Sequence, residues 1–367
     1  MKRVGAAIDI GTTTVQAQLI DLDSSEVLET FSALNNQRVF GADVMSRISA
    51  AQSGKLDELY TAINSQIENI LKNFISANNI DSIEKCHVSG NTVMLHLFCR
   101  ADPSSMGSSP FIPLFLNERN FKGEELSLPA ENITLLPGIS AFVGADIAAG
   151  LAFLDIMNKG NVKDTNPVCA LFIDIGTNGE IAVWKESEKK FYCCSTAAGP
   201  CFEEAEISCG LKATDFINTI AEMKKKKVFD ETGAFDREFA HNGYPVADGK
   251  FITQKDVRQF QLAKSAIFSG IKFICKTAHI NISNLKTYIA GELGYYLNIE
   301  NAAIVGLLPS ELTDAEICGN TSLKGTVKSL TDPSFLIRCC EVIAHSATVD
   351  LTHDKYFAAA FAHNMMF

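Results

Sequence analysis

The chain has 367 residues, of which 47% are hydrophobic and 20% are charged, as in a soluble globular protein with more than one domain. Its formal net charge of −11 argues against a nucleic-acid partner, because duplex binding needs clustered positive charge. The most apolar long stretch, Leu136–Met157, contains Asp146 and Asp155, which argues against a membrane span. No apolar secretory signal is visible at the start, so we expect a cytoplasmic protein without membrane contacts.

The first half of the chain begins with three predicted strands. Val4–Ile10 is apolar, Val15–Asp21 alternates apolar with polar residues, and Glu26–Ser32 completes the set. Apolar periodicity and turn residues then predict further elements: a helix that starts in Asp43–Ala51, an amphipathic helix over Leu56–Phe74, a strand that ends at Cys86–Thr92, a helix over Val93–Cys99 and an apolar helix from Asp146 through Met157.

The second half repeats this order of elements. The polar stretch 158–166 predicts the boundary between a first domain over 1–162 and a second over 163–367. Its predicted elements are strands Val168–Asp174, Glu180–Trp184 and Lys190–Cys194, a helix over Thr253–Lys276 and a strand over Thr287–Gly291. In both halves, three strands are followed by a helix and a strand. This order is the ribonuclease-H-like pattern, and it predicts an α/β fold.

A short turn sequence follows the first strand of each half. Ile8–Thr14 reads IDIGTTT, and Ile173–Gly179 reads IDIGTNG. The glycine lets the backbone approach a phosphate, and the turn amides and hydroxyls can donate to its oxygens. Asp9 and Asp174 can each hold a metal ion that neutralises phosphate charge. Two such turns predict two related subdomains that grip a nucleotide, with these turn residues as its ligands: Gly11, Thr12, Thr13, Thr14, Gly176, Thr177, Asn178 and Gly179.

A third glycine turn, Gly291–Gly294, follows the last predicted strand. With three turns in this order, the chain resembles the acetate and sugar kinase, heat-shock-protein-70 and actin (ASKHA) superfamily. The resemblance implies two ribonuclease-H-like subdomains with a nucleotide cleft between them, in which Gly291 and Gly294 pack on the adenosine of ATP or ADP. It also implies that Asp9 and Asp174 bind Mg²⁺, directly or through water. Asp146 is a third candidate catalytic residue.

Several longer strings are more specific: Gly41–Ile48, Ser89–Met94, Pro137–Asp146, Phe172–Ile181, Cys194–Pro200, Ile207–Gly210 and Asn298–Ala302. Through them, almost the whole chain resembles the nucleotide-binding domain of the reductive activators of corrinoid proteins. This resemblance implies that ATP drives the one-electron reduction of cob(II)alamin to cob(I)alamin on a corrinoid protein of a methyltransferase system. That corrinoid protein is then the expected partner.

Residues 195–200 form a predicted loop of small side chains beside the second phosphate turn. In an activator, such a loop would let the backbone approach a corrin face, so Ser195, Thr196 and Gly199 are the candidate corrinoid-facing residues. Ser195 or Thr196 could offer an oxygen to cobalt and change its coordination. The alternative is that both hydroxyls merely hydrogen-bond to the backbone of a turn.

The chain departs from the activator pattern in two respects. It begins at the first phosphate strand, without the N-terminal 2Fe–2S domain that activators usually carry, so we expect a separate iron–sulfur protein to supply the electron. Glu204, Glu206 and Glu292 stand where the pattern usually has glycine. A carboxylate near phosphate or adenosine would repel the nucleotide, and the sequence leaves open whether these three weaken ATP binding.

Eleven cysteines favour a reducing, even anaerobic, compartment, but their spacings match no ordinary zinc or iron–sulfur site. We therefore expect most of them to act as small hydrophobic side chains and expect no iron–sulfur cluster in this chain. An activator of 2-hydroxyacyl-CoA dehydratase would bind a 4Fe–4S cluster between two subunits. Cys201 and Cys209 lie in the half that would supply its ligands, although the motif around them is more similar to that of the corrinoid group.

Two other functions on the same fold stay open, as does a homodimer. A small-molecule kinase needs a carboxylate base near the γ-phosphate, and Asp146 or Glu203 are its candidates. A non-catalytic module would bind the corrinoid protein equally well with and without nucleotide, and the three glutamates favour it slightly.

Overall fold

The structure is a computed structural model that describes residues 2–159, 169–199, 201–291, 293–312 and 315–367. The chain forms two compact units. The first unit comprises Met1–Ile156 and Asn320–Ser346, and the second comprises Met157–Gly319 and Ala347–Phe367.

The sheet of the first unit contains six strands in the described part of the chain, in the order β3-β2-β1-β4-β6-β5. Strands β1, β2 and β3 are antiparallel neighbours, β4 runs parallel to β1, and β6 runs parallel to β4. The alternation predicted for the second strand is observed as alternating burial along it. The strands are β1 (Val4–Ile10), β2 (Thr14–Asp21), β3 (Val27–Leu34), β4 (Lys85–Gly90), β5 (Arg119–Lys122) and β6 (Asn132–Leu135).

The main sheet of the second unit has the order β13-β12-β7-β8-β9-β14, and β10 pairs with β11 in a separate hairpin. Here β7, β8 and β9 are antiparallel neighbours, and β12 is parallel to both β7 and β13. The strands are β7 (Cys169–Ile175), β8 (Gly179–Lys185), β9 (Lys190–Thr196), β10 (Tyr244–Pro245), β11 (Phe251–Ile252), β12 (Leu285–Ala290), β13 (Ala315–Gly319) and β14 (Ser346–Thr348). Both sheets thus share the ribonuclease-H-like core order that the sequence predicts twice.

The five predicted helices begin within one residue of their predicted starts, and the helix that begins at Gln254 has the capping box that Thr253 and Asp256 predict. The helix predicted through Met157 ends at Leu154, where Asp155 takes a left-handed conformation. No helix of the described residues is long and apolar enough to cross a membrane. The helices are α1 (Val44–Ala50), α2 (Leu56–Ala77), α3 (Thr92–Phe98), α4 (Ala145–Leu154), α5 (Ile156–Lys159), α6 (Cys201–Ser208), α7 (Ala213–Lys225), α8 (Gln254–Thr277), α9 (Ile299–Ile304), α10 (Thr321–Thr331), α11 (Phe335–Ala344) and α12 (Lys355–Asn364).

Residues 320–346 lie in the first unit, whereas the predicted division at 162/163 puts them in the second domain. Helix α10 explains the difference, because its buried Leu323 and Leu330 pack against Ala7 of β1 and Ile20 of β2. An amphipathic helix is placed by the apolar surface that it covers, and this surface belongs to the first sheet. The same helix brings polar residues to the end of β1, where the candidate site lies.

Candidate nucleotide and metal site

The turn between β1 and β2 contains the first predicted phosphate motif. Gly11 N donates to Thr14 O at 3.0 Å, which closes the turn. A Cβ on Gly11 would lie 2.8 Å from that same carbonyl oxygen, so the turn needs glycine there. Thr12 is buried and Thr13 and Thr14 are half-buried, so this predicted set of residues forms one continuous turn in the structure.

Asp9 stands immediately before this turn and is held by three side chains of the first unit. Asn320 Nδ2 donates to Asp9 Oδ2 at 2.8 Å, Ser322 Oγ donates to Oδ1 at 2.8 Å, and Ser89 Oγ donates to Oδ1 at 3.5 Å. Asn320 also caps α10, since its Oδ1 accepts from Leu323 N at 2.8 Å. The carboxylate of Asp9 is therefore fixed in orientation by residues of β4 and α10.

Sequence reasoning did not assign a role to Asn320 and Ser322. The local signal was present, because Asn320 follows a glycine and precedes a run of good N-terminal helix residues, as an N-cap does. Their contact with Asp9 could not be predicted from a local pattern, because Asp9 lies 311 residues away from Asn320 along the chain.

Asp146 is the second carboxylate near the end of β1. It lies in the first turn of α4, and its Oδ1 accepts from Ile147 N at 2.9 Å. Burial and the negative charge of Asp9 raise the pKa of Asp146 to about 7. Burial likewise raises the pKa of Asp9, against the three hydrogen bonds that lower it. Carboxylate oxygens are ligands that hard divalent cations prefer, so Asp9 and Asp146 are candidate ligands for such a cation.

We expect the stability of the first unit to decrease as pH rises in metal-free buffer. Between the ordinary aspartate pKa of about 4 and the raised value, the folded chain keeps a proton on Asp146 that the unfolded chain releases. Because part of the side chain is accessible to water, we expect a loss of about 2 kcal/mol across this window. Urea unfolding between pH 4.5 and 8 measures the slope.

Asp146→Asn should flatten this slope and raise stability at pH 8, because the amide carries no charge. Asp81→Asn, which changes an exposed carboxylate of the same unit, is the control and should leave the slope in place. An unchanged slope in Asp146→Asn would show that another group carries the pH dependence.

The second predicted phosphate turn joins β7 and β8 in the second unit. Gly176 N donates to Asn178 O at 2.9 Å, and Thr177 is buried. Asp174 is half-buried at the end of β7, opposite Glu180 of β8. The N–H of the glycine closes this turn as it closes the first one, but the second turn is one residue shorter, since Ile175 pairs with Gly179 whereas Ile10 pairs with Val15.

A glycine lies close to each turn, Gly90 as the last residue of β4 and Gly291 directly after β12. A Cβ on Gly90 would lie 2.6 Å from Ile10 O, and a Cβ on Gly291 would lie 2.7 Å from Ile175 O and 2.6 Å from Asp174 Oδ1. Gly291 also has φ +88°, and its N–H donates to Gly319 O at 3.1 Å. The predicted third turn therefore touches the carboxylate of the second phosphate motif. Gly294 lies in the following short 3₁₀ helix, Leu293–Tyr296.

Ser195 and Thr196 are not in a loop, which corrects the prediction of a loop over 195–200. They are the last two residues of β9, where Ser195 Oγ donates to Glu180 Oε1 at 3.3 Å and Thr196 Oγ1 donates to Gly179 O at 3.1 Å. Thr196 is only 3% exposed, so its hydroxyl is directed into the second unit and engaged with the second phosphate turn. Ser195 and Gly199 stay partly accessible.

The glutamates expected to disturb nucleotide binding fall mostly outside the described residues. This is true of Glu292 altogether and of the Glu204 side chain, whereas Glu206 is exposed on α6. The side chain of Glu203, the alternative kinase base, also lies outside the described residues. All eleven cysteines are free thiols, and most are buried, in keeping with a role as small hydrophobic side chains. Among the described residues, no group of three or more His, Cys, Asp or Glu side chains is arranged to hold a metal ion.

Comparisons with known proteins cover nearly the whole chain. Residues 4–159 match the family model described as the RACo middle region, and residues 168–228 and 214–367 match the C-terminal domain of RACo, the ASKHA domain. The corrinoid activation enzyme RamQ of Eubacterium limosum is 30% identical, over 99% of this chain and 70% of that protein. The Co(II) methylated amine-specific corrinoid protein reductase of Methanosarcina barkeri is 24% identical, over 87% of this chain and 68% of that protein.

A solved structure, the reductive activator for corrinoid, iron–sulfur protein, superposes with a TM-score of 0.88 at 26% identity. The superposition covers all of this chain and 66% of that one, so the chain spans about two thirds of the length of the relatives it matches. The family matches, the identity to RamQ and the structural superposition agree with one another. The chain therefore belongs to the RACo family of reductive activators of corrinoid proteins, with an ASKHA domain in its second half.

Proposed function

We propose that this chain uses ATP to drive the one-electron reduction of a corrinoid protein from the Co(II) to the Co(I) state. The observation that carries the proposal is the family match over nearly the whole chain, since the matched relatives are named for corrinoid activation and corrinoid-protein reduction. The electron comes from a separate reduced iron–sulfur protein, and ATP and water become ADP and phosphate. One electron enters cobalt in each reduction.

The first unit supplies the groups that a bound nucleotide and its metal need. We assign Mg²⁺ to Asp9 and Asp146, because Mg²⁺ is usually held by one or two carboxylates together with substrate phosphates. The cation would neutralise the mutual repulsion that raises the pKa of Asp146. Asn320 and Ser322 would keep Asp9 turned toward the cation. Asp146 is also our candidate for the group that orients the attacking water.

The second unit supplies the second phosphate turn and the predicted adenosine turn. We assign Gly176, Thr177, Asn178 and Gly179 to the phosphates, Asp174 to Mg²⁺ directly or through water, and Gly291 and Gly294 to the adenosine. Thr196 acts on this turn through its hydrogen bond to Gly179. Of the predicted corrinoid-facing residues, Ser195 and Gly199 are the accessible ones, and Ser195 is our candidate for the oxygen offered to cobalt.

The test is an anaerobic reduction assay with a corrinoid protein prepared in the Co(II) state. A low-potential iron–sulfur protein donates the electron, and visible absorption follows the formation of Co(I). We expect fast reduction with the chain and Mg²⁺–ATP, and a rate at least about tenfold lower with ADP, without nucleotide or without the chain. Equal rates with and without ATP would contradict energy coupling.

A phosphoryl-transfer assay tests the alternative of a small-molecule kinase, and calorimetry with the corrinoid protein, with and without Mg²⁺–ATP, tests the alternative of a non-catalytic module. Phosphoryl transfer to a sugar, polyol or acid in a substrate panel would favour a small-molecule kinase. Corrinoid-protein binding that is unaffected by nucleotide would favour a non-catalytic module.

Two further measurements test the assembly and the location of the chain. Sedimentation of the chain alone tests the homodimer, and a fluorescent fusion in cells tests the cytoplasmic location.

A further inference from the structure

Arg47 is a fully buried cation behind the first phosphate turn. It lies on α1 and is 0% exposed. Its Nη2 donates to Thr12 O at 2.5 Å, and its Nε donates to Gly41 O at 3.1 Å. Its Nη1 lies 2.9 Å from Met94 Sδ and 3.5 Å from Gln37 Oε1.

This guanidinium has no carboxylate within salt-bridge distance among the described residues. Asp43 acts on it only through the longer-range field, and the like charge of Arg38 opposes that effect. Burying a cation without an ion-pair partner is costly, so Arg47 lowers the free energy of unfolding of the chain. An anion bound on the far side of the turn would offset part of this cost through its longer-range attraction to the guanidinium.

Asn35 holds the same turn from the same side. It is 1% exposed, its Nδ2 donates to Gly11 O at 2.9 Å, and its backbone N donates to Thr13 O at 2.7 Å. Together with Arg47, it engages three consecutive carbonyl oxygens, those of Gly11, Thr12 and Thr13. The turn is therefore tied at every carbonyl between the glycine and the start of β2.

The direction of these bonds determines where the turn amides point. In a trans peptide the N–H is directed opposite to the C=O of the same plane. When the carbonyls of Gly11 and Thr12 face Asn35 and Arg47, the N–H groups of Thr12 and Thr13 face the other way. Successive backbone N–H groups that face one side form an anion-binding nest, and a cation behind them adds to its positive potential.

We propose that Arg47 and Asn35 are positioning residues that hold the first phosphate turn in the conformation that binds the phosphates of ATP. This inference rests on the nucleotide binding of the proposed function and adds the residues that organise it. Neither residue needs to touch the nucleotide. Arg47 acts through the orientation of the turn and through its charge, and Asn35 acts through orientation alone.

The test compares the affinities of the whole chain for ATP and for adenosine by calorimetry. The variants are Arg47→Met, which removes the charge and the donors, Arg47→Lys, which keeps the charge, and Asn35→Ala. We expect Arg47→Met to weaken ATP binding by about 10- to 100-fold, because it removes both the positive charge behind the turn and the charged hydrogen bond that orients the Thr12 carbonyl. Arg47→Lys and Asn35→Ala should lose about tenfold or less, and adenosine affinity should stay within about twofold.

Asn64→Ala is the matched control. Asn64 is a buried amide of the same unit, and its Nδ2 donates to Leu126 O at 2.8 Å, away from the phosphate turn. It should lower the unfolding midpoint but leave the ratio of ATP to adenosine affinity unchanged. A merely structural role of Arg47 would move both affinities together or neither.

The possible outcomes separate this inference from the proposed function. If the wild-type chain binds no ATP, the energy coupling of the proposed function fails and this inference fails with it. If the wild type binds ATP and the Arg47 and Asn35 variants bind it equally well, only this inference is overturned. If Arg47→Met does not fold, Arg47→Lys and Asn35→Ala decide the question.

Discussion

Replacing Asp9 by alanine is expected to abolish ATP-dependent reduction of a corrinoid protein, with a loss of at least about 100-fold in rate. Asp9 precedes the first phosphate turn, and Asn320 and Ser322 turn its oxygens into a defined orientation. Without this carboxylate the proposed Mg²⁺ site keeps only Asp146 in the first unit. The reduction assay and calorimetric titration with Mg²⁺–ATP measure the two consequences.

The Asp9→Ala chain should still fold, so a lost activity can be read as a lost site. Ser89 Oγ and Ser322 Oγ lie 2.8 Å apart and can bond to each other, and Asn320 Nδ2 keeps Gln16 Oε1 at 3.0 Å. Removing a carboxylate whose pKa is raised by burial also removes an unfavourable charge. Asp9→Asn, which preserves size, should give the same loss of activity.

Asp21→Ala is the control for Asp9→Ala. Asp21 is a carboxylate at the opposite end of the same hairpin, where its Oδ1 accepts from Ser24 N at 3.0 Å. This variant should lose some stability and keep ATP-dependent reduction. If Asp9→Ala kept an activity close to that of the wild type, the proposed role of Asp9 in the site would be wrong.

Gly291→Ala is expected to lower both the free energy of unfolding and the affinity for ATP. Its φ of +88° costs a non-glycine residue about 1–2 kcal/mol, and the added Cβ would lie 2.6 Å from Asp174 Oδ1 and 2.7 Å from Ile175 O. Relief of that overlap requires the second phosphate turn to move. We expect a total destabilisation of about 3 kcal/mol and at least about 30-fold weaker ATP binding.

Gly249→Ala separates backbone strain from steric overlap. Gly249 has φ +70°, but a Cβ there meets no atom within 4 Å. It should lose only the conformational cost, about 1–2 kcal/mol, and bind ATP normally. Urea unfolding and calorimetry on both variants give the comparison, and normal ATP affinity in Gly291→Ala would contradict a nucleotide role for the third turn.

The first three strands of each half, five of the helices and the two phosphate turns could be predicted because they depend on neighbouring residues. Alternating apolar residues predict Val15–Asp21 as a strand, and Thr253 with Asp256 predicts the start of α8. The turn at Asp9–Thr14 and its repeat at Asp174–Gly179 need only a glycine and short polar side chains after an apolar run. Each of these signals spans a few residues, so the amino-acid sequence alone determines them.

The contacts that complete the site depend on packing between distant segments. The burial of Leu323 and Leu330 places α10 on the first sheet, and only then does Asn320 reach Asp9. Thr196 extends β9 and faces inward because its strand pairs with β8, although its small neighbours suggest a loop. Arg47 is fully buried because the helix that carries it, α1, packs behind the first phosphate turn. The residues next to Arg47 in the sequence do not predict this burial.

The sequence by itself therefore determined the repeated fold and the location of its turns, since local periodicity and turn chemistry suffice for both. Only the tertiary structure decided which side chains orient Asp9, which cation lies behind Thr12 and which hydroxyls are turned inward. Those answers depend on which apolar surfaces cover one another, and that is a property of the whole chain rather than of any short segment.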